Sequence, residues 1–462
     1  MDGGEKMRQF AFFALVVVLS LTTVSGEIHA ASCWTDPASI TAIGDTSPGS
    51  LTIDPSGNWE LVYDAWDDQN NMVRIKYFNS TSPSPVTVVE YPVCTSWPCP
   101  QGQVEDLEGL TSARDATGKL HVAYGIEWGA DDPDETFYMY KGASGWSTPA
   151  SIAAVDDTPG SLTIDPSGYW ELVYDAWDDE NDIVRIKYFN SGSGSPPVTV
   201  VEYQVCWVGP CPPGSIEDLE GITSARDATG KLHVAYGIES PVDYTDATFY
   251  MYKDAGGWHT PPTPVTAIGD ASPGSLTIDP SGYWELVYDS WDDQNNTVRI
   301  KYYNSSSPGP VTVIEYQECW DGPSCPPGTI ADLEGITSAR DATGKLHVAY
   351  GFESAIDWVD ATYYMHTDDT SVGADFTANV FSGKLPLTVN FTDQSCGTIT
   401  SWQWNFGDGA TSNEQNPSHT YSKPGTFTVS LTVNGSDTET KPDYITVDVT
   451  GMPGIPLLLL DD

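Results

Sequence analysis

Internal repetition is the feature that most constrains the fold of this chain. Residues 109–127, 221–239 and 335–353 share the segment Ser-Ala-Arg-Asp-Ala-Thr-Gly-Lys-Leu-His-Val-Ala-Tyr-Gly. A second near-identical segment begins Ser-Leu-Thr-Ile-Asp-Pro-Ser-Gly and occupies residues 50–68, 161–179 and 275–293. The period is about 112 residues. A repeat of this kind predicts one structural unit copied three times, whose copies stack to bury a shared core.

Each period divides into two halves with the same order of features. A short apolar strand ends in Asp, a tight turn follows at Asp54–Gly57 or Asp115–Gly118, and three more strand patterns complete the half. Glycine at the end of the turn favours a residue with positive φ. Four antiparallel strands in about 50 residues match a propeller blade. The halves resemble the propeller repeats of many exported microbial proteins, and six halves then imply a six-bladed β-propeller over residues 33–369.

The two ends of this region complement each other. The last half, from Asp332 to Asp369, lacks a fourth strand with a Gly-Trp pattern, whereas residues 33–40 align with the Gly-Trp strand at residues 145–152. We therefore expect the N-terminal strand to close the last blade, which removes exposed sheet edges. Residues 34–40 should then lie beside residues 361–366.

After Asp369 the sequence changes character. The segment Trp402–Gly409 reads Trp-Gln-Trp-Asn-Phe-Gly-Asp-Gly, and His419-Thr420-Tyr421 precedes an alternating apolar strand over Phe427–Val433. Residues 374–449 thereby resemble a PKD domain of archaeal-like surface proteins and bacterial exported hydrolases. The resemblance implies an immunoglobulin-like β-sandwich that serves as a spacer or contact module. Residues 450–462 remain as a C-terminal tail.

The first 32 residues have the features of a secretory signal. Lys6 and Arg8 precede an apolar run over Phe10–Leu21, and Ala30-Ala31-Ser32 supplies small residues near a cleavage point. A retained membrane anchor and, through Cys33, a lipoprotein remain alternatives. The run is short for a bilayer span, so we expect no span in the mature chain. The prediction is a secreted or cell-surface protein.

The charge balance excludes one class of partner. The chain has 19 Lys and Arg against 65 Asp and Glu, a formal net charge of −46. Such a chain repels phosphate backbones, so nucleic-acid binding is not expected. Sixteen Trp and 24 Tyr supply large apolar areas, which argues against disorder and for a packed fold.

Six of the eight cysteines recur as three pairs in register. Each pair lies in the connection from an odd blade to the next, no His accompanies it, and export favours disulfides over a zinc site. Cys33 and Cys396 are left without an assigned state. The predicted disulfides are Cys94–Cys99, Cys206–Cys211 and Cys319–Cys325.

Acidic segments with a central Trp follow the second strand of each odd blade. Closely spaced carboxylates could bind calcium, the one possible cofactor that the sequence suggests. A Trp beside carboxylates could bind a sugar ring by stacking and hydrogen bonds. A solvated acidic loop and a Trp buried between blades are the alternatives. The candidate ligand-binding residues are Trp66, Trp177 and Trp291, and the candidate metal ligands are Asp64, Asp67, Asp68, Asp175, Asp178, Asp179, Asp289, Asp292 and Asp293.

Arg114, Arg226 and Arg340 form a further threefold set. They are candidates to bind a ligand carboxylate, although pairing with the adjacent turn residues Asp115, Asp227 and Asp341 is the simpler expectation.

Catalysis is not expected from this pattern. Glycoside hydrolysis needs two carboxylates in different environments, whereas near-identical copies give equivalent ones. No Gly-x-Ser-x-Gly segment occurs, and the Asp-Pro-Ser-Gly turn differs in spacing from the Asp-box of sialidases. The sequence predicts a non-catalytic binding or adhesion protein whose partner is a cell-surface glycan or envelope protein. A sialidase-like hydrolase or lyase and a purely structural envelope protein remain alternatives.

Overall fold

The computed structural model describes residues 34–448 with short gaps. The predicted signal segment, Cys33, Cys396 and the C-terminal tail lie outside the described residues. The gaps are residues 42–47, 68, 96–98, 101, 129–134, 153–154, 156–158, 179–180, 207–210, 242–245, 269–272, 293–294, 308, 321, 327, 357–359, 368–371, 396 and 398.

The repeat region consists of six antiparallel sheets that follow one another along the chain, numbered here as blades 1 to 6. Blade 1 contains β2 (Ser50–Ile53), β3 (Trp59–Asp67), β4 (Met72–Asn79) and β5 (Val86–Pro92). Blade 2 contains β6 (Val104–Arg114), β7 (Leu120–Trp128), β8 (Glu135–Gly142) and an outer strand in two pieces, β9 (Gly145–Trp146) and β10 (Ala150–Ser151). Blade 3 contains β11 (Ser161–Ile164), β12 (Trp170–Asp178), β13 (Ile183–Asn190) and β14 (Val198–Gln204).

The second half of the ring repeats this pattern. Blade 4 contains β15 (Asp218–Arg226), β16 (Leu232–Glu239), β17 (Asp246–Asp254) and β18 (Gly257–Pro264). Blade 5 contains β19 (Ser275–Ile278), β20 (Trp284–Asp292), β21 (Thr297–Asn304) and β22 (Val311–Gln317), followed by a short 3-10 helix at Gly322–Ser324. Blade 6 contains β23 (Ile330–Arg340), β24 (Leu346–Ser354), β25 (Asp360–His366) and β1 (Ala38–Ser39).

The first strands of the blades form a closed ring. Each of β2, β6, β11, β15, β19 and β23 contacts the next, and β23 contacts β2. Hydroxyl groups join the neighbours: Ser50 Oγ accepts a bond from Ser112 N at 2.9 Å, and Leu51 N donates to Thr337 Oγ1 at 2.9 Å. Blade 1 is thus bonded to blades 2 and 6, and the six-bladed β-propeller predicted from the repeat is confirmed.

Closure of the ring uses the N-terminal strand, as predicted. In β1, Ala38 pairs with Tyr364 of β25, and Ile40 N donates to Thr362 O at 2.8 Å. Ile40 is buried in a cluster that includes Leu51 of blade 1. Antiparallel pairing satisfies the backbone groups of β25, whose edge would otherwise be open.

Both faces of each sheet are buried, because blades pack face to face. In β3 the consecutive residues Leu61, Val62 and Tyr63 are all fully buried, although successive side chains point to opposite faces. This explains why the strands have continuous apolar runs instead of alternation. The main clusters lie between an odd blade and the next, such as Val173 of blade 3 with Leu232 of blade 4.

The C-terminal residues form a separate β-sandwich. Its strands are β26 (Phe376–Ala378), β27 (Ser382–Lys384), β28 (Leu387–Asp393), β29 (Trp402–Asn405), β30 (Thr411–Ser412), β31 (Ser418–Tyr421), β32 (Gly425–Val433) and β33 (Asp437–Asp448). One sheet has the order β26–β28–β31 and the other β27–β33–β32–β29–β30. The side chains of Trp404, Phe376, Phe391 and Tyr421 are fully buried between the two sheets, in agreement with the predicted immunoglobulin-like fold.

The propeller has two different ends. The turn face carries the connections from first to second and from third to fourth strands, including the tight turn at Asp54–Gly57, where Gly57 has φ 85°. The loop face carries the connections from second to third strands and from each blade to the next. The three predicted disulfides are present on the loop face: Cys94–Cys99, Cys206–Cys211 and Cys319–Cys325.

Candidate functional site

The acidic segments begin inside the second strands of the odd blades, contrary to the prediction that they follow those strands. The strand β3 extends to Asp67, which pairs with Met72 of β4, so that Asp64 and Trp66 are strand residues. A tight connection suffices because Asn71 adopts a positive φ of 50°. The same extension occurs in β12 and β20, so the predicted boundary between second strand and acidic segment was wrong in all three odd blades.

The three candidate tryptophans occupy equivalent positions on the loop face. Trp66 is 45% exposed and Trp291 is 39% exposed, whereas Trp177 packs partly into the core between blades 3 and 4. The indole of Trp177 donates to Asp175 Oδ2 at 2.9 Å, and that of Trp291 donates to Asp289 Oδ2 at 3.0 Å. The indole N–H groups of Trp177 and Trp291 are therefore already bonded to a carboxylate two residues earlier in the same strand.

Two further candidate metal ligands, Asp67 and Asp178, form ion pairs with arginines of the third strands. Asp67 Oδ2 accepts from Arg74 at 2.7 Å and Asp178 Oδ2 accepts from Arg185 at 3.1 Å. Hydrogen bonds from Asn70 and Arg74 lower the pKa of Asp67 to about 2. These oxygens already have cationic and amide donors, which compete with a bound cation.

Asp175 lies in a different environment from Asp178. Burial raises the pKa of Asp175, the indole of Trp177 opposes this, and the carboxylate of Asp218 adds to the increase. Within the part of the chain that the structure describes, no group of three or more His, Cys, Asp or Glu side chains is arranged to hold a metal ion. Asp68, Asp179 and Asp293 lie outside the described residues, and so does the side chain of Asp292.

The arginine set marks a site that the sequence did not predict. The simpler expectation, that Arg114 pairs with Asp115, was wrong. Its Nε donates at 2.6 Å to Oε1 of Glu60, which belongs to the preceding blade and is fully buried. The Asp115 carboxylate instead accepts from Thr117 and from Nε2 of His121. The arginine can reach Glu60 because ring packing places the last residue of β6 beside β3.

Each arginine belongs to an inter-blade cleft on the turn face. The first cleft lies between blades 1 and 2, the second between blades 3 and 4, and the third between blades 5 and 6. In the second cleft, Glu171 binds Arg226 at 2.5 Å and accepts from the hydroxyl of Tyr188 at 2.5 Å. Asn190 donates to Asp165 at 2.9 Å beside this pair. A buried glutamate is tolerated here because charge-assisted bonds satisfy both of its oxygens.

An aromatic wall borders each cleft. Trp258, on the outer strand β18, packs edge-on against Tyr188 with ring centroids 5.5 Å apart. Trp258 is partly exposed and lines a cavity of about 720 Å³ together with Tyr188, Arg226 and Lys253. Polar groups converging beside an aromatic wall are typical of a carbohydrate site.

The other two clefts repeat the arrangement. The first contains Asp54, Glu60, Tyr77, Asn79, Arg114, Lys141 and Trp146, and a cavity of about 360 Å³ includes most of them. In the third, Arg340 binds Glu285, which also accepts from Tyr302 at 2.6 Å, and Asn304 donates to Asp279. Trp34 of the closing segment packs 6.1 Å from the Tyr302 ring, in the place of Trp146 and Trp258. The third cleft is therefore complete only when the ring is closed.

One signal in the sequence could have located these clefts. The second strands of the odd blades read Trp-Glu-Leu-Val-Tyr, so that Glu60, Glu171 and Glu285 are charged residues in otherwise apolar strands. A charge in a strand with two buried faces requires a partner, and the three repeated arginines are among the cations that recur with the same period.

Comparison with known proteins identifies the C-terminal region. Residues 371–447 match the profile of the PKD domain. A stretch of 60 residues is 45% identical to collagenase ColA of Bacillus cereus, covering 12% of this chain and 6% of that protein. A stretch of 85 residues is 35% identical to a microbial collagenase of Vibrio alginolyticus, covering 18% of this chain and 10% of the relative. The chain thus spans only a small part of these relatives.

Solved structures resemble the propeller in fold alone. A protein of unknown function from Dyadobacter fermentans gives a TM-score of 0.50 at 11% identity, covering 74% of this chain and 99% of that one. The six-bladed Aleuria aurantia lectin gives 0.41 at 13% identity over 69% and 91% of the two chains. An endo-arabinase from Bacteroides thetaiotaomicron gives 0.36 at 15% identity over 61% and 96%. Likeness at this level concerns the fold and carries no activity over to this chain.

No helix among the described residues has the length and apolar character needed to cross a membrane.

Proposed function

We propose that this is a secreted or cell-surface protein that binds glycans of the cell envelope without chemical turnover. The PKD domain is its spacer or attachment module. The observation that carries the proposal is the threefold inter-blade cleft, in which a polar cluster lies against an exposed aromatic edge. Three copies on one rigid ring suit multivalent binding, because weak sites held together add avidity.

The absence of turnover is part of the proposal and has its own physical support. A glycosidase requires one carboxyl group as acid and another as base or nucleophile, held in different environments. In each cleft the glutamate is fixed by an arginine and a tyrosine, and the cleft aspartate is engaged by turn amides, as Asp165 is by Ser167 N and Tyr169 N. Both carboxyl groups of the cleft therefore have hydrogen-bond partners within the protein, which supports binding without turnover.

A glycan array with purified full-length protein tests the proposal. Binding is measured with calcium and with EGTA, and release of reducing ends from the bound polysaccharides is followed in parallel. We expect binding without release. Blank arrays under both conditions would contradict glycan binding and favour a structural envelope role, and reducing-end release would contradict the non-catalytic proposal.

Matched variants distinguish the two faces. W146A, W258A and W34A remove the aromatic walls of the three clefts, whereas W66A, W177A and W291A remove the loop-face tryptophans. We expect the triple cleft variant to lose array binding and the triple loop-face variant to keep it, with thermal unfolding as the check on folding. The opposite result would move the glycan site to the loop face.

A further inference from the structure

The three clefts are not identical, and one of the differences is a basic residue. In blades 2 and 4 the penultimate residue of the third strand is a lysine opposite the Trp of the outer strand: Lys141 pairs with Trp146, and Lys253 pairs with Trp258. In blade 6 the position opposite Trp34 is Thr367. The hydroxyl of Thr367 accepts from Leu346 N at 3.0 Å, so this side chain is directed to its own sheet.

The lysine ammonium groups have no carboxylate partner among the described residues. Lys141 Nζ lies 3.2 Å from the hydroxyl of Tyr77 and 4.4 Å from the centre of its ring. Lys253 Nζ lies 5.0 Å from the centre of the Tyr188 ring. A cation over an aromatic face is held in place but keeps hydrogen-bond donors for another ligand.

The carboxylates around Lys253 are all engaged by other groups. Glu171 is held by Arg226 and Tyr188, and Asp165 by Asn190 and turn amides. Asp254 is held by Gly256 N and by His259 at 2.8 Å. Asp165 and Asp254 also line the cavity, but each has donors of its own, so the ammonium group of Lys253 remains as a charged donor for a ligand. The lining includes Lys231, which lies over the Tyr252 ring.

The placement of these residues contrasts with the overall charge. Only 19 Lys and Arg occur in a chain of net charge −46, yet Arg226, Lys231 and Lys253 line one cavity. Repulsion from distant carboxylates is largely screened beyond about 8 Å at physiological salt, whereas a direct ammonium–carboxylate bond is not.

We infer that the first and second inter-blade clefts bind a sugar that carries a carboxylate, through Lys141 and Lys253, and that the third cleft lacks this selectivity because Thr367 replaces the lysine. The inference rests on the proposed glycan binding and adds its ligand class and stoichiometry. The carboxylate of a uronic acid forms a charge-assisted bond to the ammonium while its ring lies against Trp146 or Trp258. Two high-affinity sites per chain follow.

Isothermal titration with two matched trisaccharides tests the inference. Trigalacturonic acid and neutral galactotriose differ in the carboxylate, and EDTA in the buffer prevents calcium from bridging the acidic sugar. We expect about two equivalents of trigalacturonic acid per chain and weaker binding of galactotriose. K253Q should remove one equivalent or weaken it about 10-fold or more, K141Q should do the same for the other, and T367K should create a third.

The controls separate failure of this inference from failure of the proposed function. K187Q changes a lysine of strand β13 that does not line the cavity, and it should leave the titration unchanged. Equal binding of both trisaccharides, or acidic binding unaffected by K141Q and K253Q, overturns the inference and leaves glycan binding intact. No heat with either trisaccharide also overturns it, whereas glycan binding as such is contradicted only if the array is blank.

Discussion

Glu60 and Arg114, which are 54 residues apart in sequence and on different blades, form an ion pair whose glutamate is fully buried. The pair repeats as Glu171–Arg226 and Glu285–Arg340. It joins the second strand of each odd blade to the first strand of the next. It therefore both supports the inter-blade cleft and holds neighbouring blades in register.

Removing one partner of this pair is expected to destabilise the propeller strongly. In R226M the carboxylate of Glu171 stays buried and keeps only uncharged donors, the hydroxyls of Thr163 and Tyr188 and the amide of Asn190. Loss of the charged partner costs about 3–5 kcal/mol in comparable buried pairs. The free energy of unfolding is measured by denaturant titration. The double variant R226M/E171L removes both charges and should recover much of the loss. If R226M unfolds as wild type does, the pair has no role in stability.

The closing strand should be as firmly held as its counterpart inside a continuous blade. Ile40 and Ile152 are both buried and both donate their backbone N–H across the sheet at 2.8 Å. Each Ile→Ala change should lower the free energy of unfolding by about 2–5 kcal/mol, because a cavity replaces buried methylene groups. Calorimetry of I40A and I152A gives the comparison. A loss in I152A with none in I40A would show that the ring is not sealed by the N-terminal segment.

Three buried histidines predict a loss of stability in mild acid. Burial lowers the pKa of His121, and the bond to Asp115 opposes the shift only in part; His233 and His347 behave alike. Because Asp115 can only accept, Nε2 of His121 carries the proton and Nδ1 accepts from Tyr138. In the unfolded chain these histidines become protonated near their ordinary pKa of about 6.5, whereas in the folded chain they become protonated only at lower pH. The free energy of unfolding therefore falls as the pH decreases below about 6.5.

The measurement for this prediction is a series of denaturant titrations from pH 8 to pH 5. We expect a plateau above about pH 7 and a continuous decline below it, which the H121Q/H233Q/H347Q variant should flatten. A decline of equal slope in that variant would assign it to other groups.

The lowered pKa values of the turn aspartates lead us to predict a second loss of stability at lower pH. Burial alone would raise the pKa of Asp115, but bonds from Thr117, Lys119 N and His121 outweigh it and lower the pKa to about 2. The stabilisation is complete above the ordinary value of about 4 and is lost as pH falls toward 2. D115N keeps the size of the side chain but not the charge, so its unfolding should depend less on pH between 4 and 2. An unchanged acid profile would contradict this assignment.

Each loop-face disulfide should contribute modestly to the free energy of unfolding. Cys206 and Cys211 close a loop with a sequence separation of 5, for which chain entropy gives about 2 kcal/mol. The C206S/C211S variant should lose about that amount in denaturant unfolding while the cleft-dependent glycan titration stays unchanged, because the bridge lies on the opposite face from the clefts. A loss of glycan affinity in this variant would place the ligand on the loop face.

The sequence alone determined the number of blades, the closing strand and the disulfides. The repeats specify strand and turn chemistry locally, since Asp-Pro-Ser-Gly and Asp-Ala-Thr-Gly encode a turn with positive φ at the glycine. The unpaired third strand at residues 361–366 and the spare strand at residues 34–40 are both visible in the repeat alignment. Local propensity and the need to cover sheet edges suffice for these predictions.

Only the tertiary structure decided which side chains meet. The sequence placed Arg114 next to Asp115 in the chain, but β6 ends at Arg114 and the Asp115 carboxylate is bonded within its own turn. Arg114 instead contacts Glu60 across the blade interface. The same interface brings Lys141 and Lys253 to the clefts and leaves Thr367 in the third. Contacts between sheets depend on ring geometry, which brings residues far apart in sequence together, and no spacing within one repeat encodes them.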